Sequence, residues 1–287
     1  DEYDEKLLLG TYGEGLLEIH KSTGRVKKSD VQQEKPLNFI FDINVFDENL
    51  WIGGIDGPLT HYYNSEFVNS YAVGLVRAVV KGYDEINYIG SSNGLFELNK
   101  RNASVRKIAN TVFTEQDEIQ DLNFDQLNNC IWIASKKGLY KYHLSTEKVE
   151  RVNEKINQNL GTVFSLQRDN MQNLYLSTIT GLWKYNIKAE LFRKYDKDDG
   201  LQIDEFGFGA SEKLKDGSIA FGGAKGAVIF NPIHLTDEKS LSDILLTNFQ
   251  INGKEPDSLT LPKSINYTKE LVLDYDQNSL SFTFETV

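Results

Sequence analysis

Trp132-Ile133-Ala134-Ser135-Lys136-Lys137-Gly138-Leu139-Tyr140-Lys141-Tyr142 is the stretch that decides the fold. A run of β-formers enters a short turn, a Gly-Leu pair leaves it, and a second β run follows. The same order returns five times. It runs from Leu7-Leu8-Leu9-Gly10 to Gly15-Leu16-Leu17, and from Trp51-Ile52-Gly53-Gly54 to Gly57-Pro58-Leu59. It runs again from Tyr88-Ile89-Gly90-Ser91 to Gly94-Leu95-Phe96, and from Leu174-Tyr175-Leu176-Ser177 to Gly181-Leu182-Trp183. The last copy is Phe221-Gly222-Gly223-Ala224 to Gly226-Ala227-Val228. The shared glycines lie 42, 37, 44, 43 and 45 residues apart. A period near forty with several short strands per unit is the signature of a β-propeller.

The fifth unit shows how one repeat folds. Thr162-Val163-Phe164-Ser165-Leu166-Gln167-Arg168 alternates apolar and polar residues at period two, the mark of a strand. Asp169-Asn170-Met171-Gln172-Asn173 is a turn cluster, because Asp and Asn side chains bond back to local backbone and tolerate left-handed angles. Leu174–Ser177, Leu182–Tyr185 and Leu191–Tyr195 supply three more strands. The expectation is an all-β chain whose propeller has blades of four antiparallel strands. Six repeats are seen, the first beginning at its second strand, and closure as six blades or as part of a seven-blade ring both remain open.

Composition narrows the function. The chain has 287 residues with 31 basic and 42 acidic side chains, a net charge of −11, so a nucleic-acid-binding surface is disfavoured. Fourteen Tyr and sixteen Phe against one Met suit half-buried strands. Cys130, the single cysteine, allows no internal disulfide and no thiolate metal cluster, and reads as a small buried hydrophobe. No run approaches eighteen apolar residues, and the start Asp1-Glu2-Tyr3-Asp4-Glu5-Lys6 does not read as a signal peptide. Both ends look cut, which leads to the expectation of a piece of a longer protein.

After Phe230-Asn231-Pro232 the pattern changes. Thr236-Asp237-Glu238-Lys239-Ser240 reads as a linker, giving a propeller over 1–238 and a second module over 239–287. Ile244–Ile251 reads as a strand, Asn252-Gly253 as a hairpin turn, and Leu271–Tyr275 and Leu280–Phe284 as further strands. Short strands with tight turns suggest the first strands of a β-sandwich.

These residues resemble the two-component regulator propeller family, whose repeat is an Asp-containing hairpin, Leu-Trp-Ile-Gly, a short loop and Gly-Leu plus an aromatic. Trp51-Ile52-Gly53-Gly54 and Trp132 to Tyr142 carry that pattern. Asp199-Gly200-Leu201-Gln202, Glu205-Phe206, Asp216-Gly217 and Phe230-Asn231-Pro232 resemble its closing unit. Leu246-Thr247-Asn248-Phe249, Asn252-Gly253 and Asp276 to Phe282 resemble the start of the Ig-like Y_Y_Y module that follows such propellers. Gly57-Pro58-Leu59 breaks the Gly-Leu pair, Ala227 replaces a Leu and Ala134 a Gly, which touches single turns. The resemblance implies the periplasmic part of an inner-membrane, Bacteroides-type hybrid two-component sensor kinase. Such a protein recognises an oligosaccharide and controls polysaccharide-utilisation genes. The resemblance further implies a preceding propeller in the same chain, a homodimer through the Ig-like module, and no direct nucleic-acid contact by this region.

No catalytic constellation stands above background, and no cofactor or metal is expected. His20, His61, His143 and His234 lack metal-ligand spacing. Asp196-Lys197-Asp198-Asp199-Gly200 lacks the twelfth-position Glu of a calcium loop, where Gly207 sits. In a propeller the second-to-third turns and the inter-blade connections emerge on one face. The candidate ligand residues there are Tyr12, Glu14, Arg77, Lys136, Lys137 and Lys225, with Asp42, Asp56, Ser92, Asn93, Asp121 and Thr180 near the same rim. Tyr12 can stack on a sugar ring, and the cations hint at carboxylate or sulfate groups. A propeller lyase or glycosidase and a protein-interaction scaffold are the competing readings. The enzyme predicts a cluster of perturbed titratable groups at one end of the channel; the scaffold predicts a broad apolar patch.

Overall fold

The computed structural model describes residues 2–3, 5–31, 37–55, 57–108, 112–113, 117–155, 159–203, 205–235, 244–257, 260–261, 265–268 and 270–286. They form two compact units, Asp1–Pro232 and Ile233–Val287. Residues 236–243, where the expected boundary at 238 falls, lie outside the described residues. No helix among the described residues is long and apolar enough to cross a membrane.

The first unit is a β-propeller of six blades, each pairing its strands antiparallel in chain order. Blade one holds β1 (Glu2–Tyr3), β2 (Lys6–Gly10), β3 (Leu16–His20) and β4 (Val26–Lys28); blade two holds β5 (Ile40–Phe46), β6 (Asn49–Gly54), β7 (Leu59–Tyr63) and β8 (Glu66–Tyr71). Blade three is β9 (Val76–Lys81), β10 (Ile86–Ser91), β11 (Gly94–Asn99) and β12 (Ser104–Ile108); blade four is β13 (Ile119–Asp125), β14 (Cys130–Ser135), β15 (Gly138–His143) and β16 (Lys148–Arg151). Blade five is β17 (Val163–Arg168), β18 (Asn173–Thr178), β19 (Gly181–Asn186) and β20 (Leu191–Tyr195). Blade six has three strands among the described residues: β21 (Phe206–Lys213), β22 (Ile219–Gly223) and β23 (Gly226–Phe230). The first blade does not start at its second strand as expected. The two residues of β1 pair with Lys6 and Leu7 of β2.

Alternation along each strand feeds two cores at once. Leu139 of β15 packs with Trp132, Leu160, Val163 and Leu174 between blades four and five, whereas its neighbour Tyr140 packs with Ala78, Leu95 and Ile119 between blades three and four. Trp51, Leu59, Val76 and Ile89 fill the space between blades two and three, and Leu8, Leu37, Leu50 and Ile52 that between one and two. Each such buried aliphatic or aromatic side chain contributes about 1.5–3 kcal/mol. Cys130 belongs to the same interior, and burial pushes its thiol up to about 12, so it is inert at neutral pH.

The recurrent glycine has a backbone reason. Gly138 sits at φ +126°, and a Cβ there would collide with the Asn153 amide, which accepts the Leu139 N–H at 3.1 Å. The turn cluster of blade five is held as its sequence indicates, with Asp169 Oδ1 accepting from the N–H groups of Met171 and Asn173, each at 2.8 Å.

Every inner strand from β5 to β21 loses register with its partner near its start. The shifts fall between Ile40 and Asp42, Ile119 and Asp121, Val163 and Ser165, and Phe206 and Ser211, and Arg77 is skipped where Ala78 and Val76 pair. Such β-bulges re-aim one side chain per strand. Gly54 makes the close approach possible in blade two, because a Cβ there would run into the Phe39 carbonyl oxygen. Gly54→Ala should therefore lower stability by about 1–3 kcal/mol, as overpacking does. A urea midpoint matching that of the native chain would contradict this.

The second unit differs from the sequence reading. Asn252 and Gly253 do form a tight turn, with φ +50° and +75° and Ile251 N–H bonded to the Lys254 carbonyl at 2.8 Å. The pairing stops at the single antiparallel bridge between Ile251 and Lys254, and Pro256, two residues after Lys254, has no N–H to extend a ladder. Instead β24 (Ile244–Ile251) pairs with β25 (Leu280–Thr286). Leu271–Tyr275, expected as a strand, is not one; Val272 and Tyr275 are exposed and pair with no strand among the described residues.

Candidate functional site

Residues at four of the five bulges, Phe41, Arg77, Phe164 and Phe208, meet in one cluster. Arg77, from β9, holds its guanidinium 4.9 Å from the centre of the Phe41 ring of β5 and 5.2 Å from that of Phe208 of β21. Phe208 in turn contacts Phe164 of β17 edge to face at 4.8 Å. On the other side Tyr12, in the turn between β2 and β3, meets Phe39 at 4.7 Å and Phe41 at 6.2 Å. Tyr12 is 76% exposed and Phe208 57%. Four blades thus supply an aromatic collar around the guanidinium that a fifth contributes.

Arg77 and Phe41 also line a cavity of about 290 Å³ formed by the inner strands of blades two to six. Its wall includes Asp42, Asn44, Asp121, Asn123, Gln167 and Glu212. The two aspartates join blades. Asp121 accepts the N–H of Leu166, in the next blade, at 2.7 Å and that of Leu122 at 2.7 Å, while Asp42 accepts the N–H of Val79 and the Asn44 amide at 2.6 Å. Burial raises Asp121 to about 7 despite those donors. Burial, and then the charge of Asp121, holds Asp42 well above the carboxylate range, and burial raises Glu212 as well.

The sequence candidates divide into two groups. Tyr12 and Arg77 come together through Phe41, and Lys136 joins them through Glu118, which it bonds at 2.8 Å while Arg77 lies 3.7 Å away. Glu14 is paired with Lys28 at 2.8 Å and Lys225 with Glu205 at 3.0 Å, both on the surface. Lys137 pairs with the buried Asp117 at 2.7 Å. The three turn lysines are therefore already matched by carboxylates, which weakens them as free anion receptors. Asp56 lies outside the described residues. Asp42 and Asp121 line the cavity.

Sequence reasoning missed Phe39, Phe41, Phe164 and Phe208. For Phe41 and Phe164 the signal is positional: like Arg77 and Gln120, each stands second in its inner strand, where the bulge falls, whereas Phe208 stands third in β21 and Phe39 just before β5. The residue types differ from blade to blade, so repeat matching passes over them. Histidine contributes nothing at the mouth. His61 is buried against Trp51, rings 3.9 Å apart and 3° from parallel, and burial lowers it to about 4.

No family model matches the chain. Among solved structures it resembles the extracellular domain of a putative hybrid two-component system from B. thetaiotaomicron, with a TM-score of 0.64 and 18% identity over 78% of this chain and 31% of that one. A second such domain from the same organism gives 0.63 and 17%, over 78% and 32%. A computationally designed protein gives 0.56 and 14%, over 80% and 69%. At these identities the likeness establishes the fold alone. A curated relative, histidine kinase P4 of Formosa agariphila, is 32% identical over 152 residues, 51% of this chain and 11% of that protein. The chain thus spans about a tenth of that curated relative and about a third of the two-component structures.

Proposed function

We propose that this propeller is the ligand-sensing part of a two-component signalling protein and receives a saccharide at the channel mouth. The observation that carries the proposal is the collar of Tyr12, Phe39, Phe41, Phe164 and Phe208 around Arg77, open to solvent and backed by a polar cavity. Aromatic faces take the apolar C–H faces of sugar rings, and a few convergent polar groups fix orientation. The likeness to sensor-kinase ectodomains supports signalling rather than storage or transport. In this reading the domain is periplasmic, the parent chain dimerises through its Ig-like module, and ligand occupancy at the propeller biases a kinase that controls glycan-use genes. The propeller itself catalyses nothing.

One observation favours the second reading, a glycoside hydrolase: Asp42 and Asp121 sit in the cavity with raised pKa values. Against it, both oxygens of Asp121 are taken up by backbone N–H groups, as a structural bridge requires.

A thermal-shift titration against neutral, uronic and sulfated oligosaccharides, with product analysis of every mixture, tests both. A selective ligand at a hundred times Kd should add about 2.7 kcal/mol, with no product formed. Turnover would replace the sensor reading with the hydrolase, and a flat panel would remove saccharide sensing from this propeller.

A further inference from the structure

The guanidinium of Arg77 is the least satisfied charge in the collar. Its side chain is 15% exposed, its Nε is buried without a hydrogen-bond partner among the described residues, and the Glu118 carboxylate oxygen that it faces stands 3.7 Å away, beyond hydrogen-bond length. Glu118 is instead bonded by Lys136 at 2.8 Å. A half-buried fork of N–H donors without acceptors is costly, and aromatic faces compensate only part of that cost. Arg77 and Lys136 face one carboxylate, Glu118, while burial shifts the cavity's other acidic groups, Asp42, Asp121 and Glu212, toward their neutral forms.

We infer that the mouth is built for a saccharide bearing an oxyanion, a carboxylate or a sulfate, which docks on the Arg77 guanidinium between Phe41 and Phe208. The inference rests on the saccharide reading of the same site. Guanidinium and oxyanion match as a two-pronged, charge-assisted pair, and the flanking rings exclude the water that would weaken it. The sugar ring carrying the oxyanion then falls beside the exposed faces of Phe208 and Tyr12. The raised carboxyls of the cavity support this geometry, because Asp121 and Asp42 carry less negative charge near neutral pH than free carboxylates would. The turn lysines are not the anion receptors; their carboxylate partners already occupy them.

Side-chain NMR of the whole chain tests the inference. The Arg77 Nε–H resonance, assigned by its absence from Arg77→Met, is followed during titration with inorganic sulfate, glucuronate and glucose. A saturable shift with sulfate or glucuronate and none with glucose is expected, the stronger responder identifying a sulfated or a uronic ligand. In parallel, a chondroitin sulfate tetrasaccharide, its desulfated form and its desulfated, carboxyl-reduced form are titrated into native protein and Arg77→Met. A loss of roughly tenfold or more in affinity, confined to the charged forms, is expected for the variant. No shift with either oxyanion overturns the inference. Neutral saccharide binding of equal strength in both proteins overturns it too, while leaving the sensor reading intact. An Arg77 response to sulfate with no tetrasaccharide bound would keep the anion site and remove the saccharide. Arg77→Met replaces a half-buried stem with one of similar length, and its melting temperature shows whether it folds.

Discussion

Asp125→Ala is expected to destabilise the propeller by about 3–5 kcal/mol, the range for breaking a buried ion pair from one side. Asp125 is fully buried at the end of the blade-four inner strand. Its Oδ1 accepts from Arg168 of blade five at 2.8 Å and from the Asn128 N–H at 3.2 Å. Its Oδ2 accepts from the Trp132 indole at 3.0 Å and the Asn128 amide at 2.7 Å. Burial alone would raise this carboxyl; the donors from Asn128 and Trp132 and the Arg168 charge together hold it below its usual range. Removing it leaves the partly buried Arg168 guanidinium, 24% exposed, without its carboxylate and the buried Trp132 indole N–H without its acceptor. Blade two shows what the position tolerates without a carboxylate. Phe46 stands where blade four has Asp125, no arginine is buried beside it, and Trp51 stacks on Phe46 and His61 with its N–H unbonded. The change should appear in urea as a lower midpoint with an unchanged slope. A loss below about 1 kcal/mol would mean that the Arg168 bridge does not join blades four and five.

The second large effect is a pH dependence. Asp121 has a folded pKa of about 7 against an ordinary value of 3.8. Between those values the folded chain holds a proton that the unfolded chain releases, so this group's contribution is fully present at low pH and is lost as pH rises through about 7. The swing is on the order of 2–4 kcal/mol for one such group. Asp42 and Glu212 act in the same direction, while the lowered Glu18 and Asp125 act in the opposite one. The difference between native protein and Asp121→Asn isolates the term. Asn keeps one acceptor for the two N–H groups, so absolute stability changes as well, but the variant's profile from about pH 4 to 8 should be flatter. Parallel profiles would show that Asp121 is ionised throughout and that the cavity floor is more negative than described.

How much of this could be read from the chain differs by element. The blades were legible, because Gly94, Gly138, Gly181 and Gly226 all take positive φ and their Leu and aromatic neighbours alternate between two cores. Arg77, Asp42 and Asp121 were legible as rim residues because strand order places inner strands around one axis. The collar was not. Phe41, Phe164 and Phe208 reach the mouth only because bulges turn them inward, and a bulge has no repeating residue type. The lysine hint misled for a related reason. Glu118, Asp117 and Glu205 lie in inter-blade connections, far in sequence from the lysines that they neutralise. In the second unit Leu271–Tyr275 carried strand residues but pairs with no strand among the described residues, and pairing, not propensity, makes a strand.

The measurement that tests the central claim most directly is a comparison of affinities for the saccharide that stabilises the chain most. Native protein is set against a Tyr12→Ala, Phe208→Ala double variant, both of whose altered side chains are more than half exposed and lie outside the packed cores between blades. Binding at the channel mouth predicts a loss of roughly tenfold or more with an unchanged melting temperature, since each stacked ring contributes about 0.5–1.5 kcal/mol. Equal affinities in the two proteins would place the ligand elsewhere on the propeller and contradict the account.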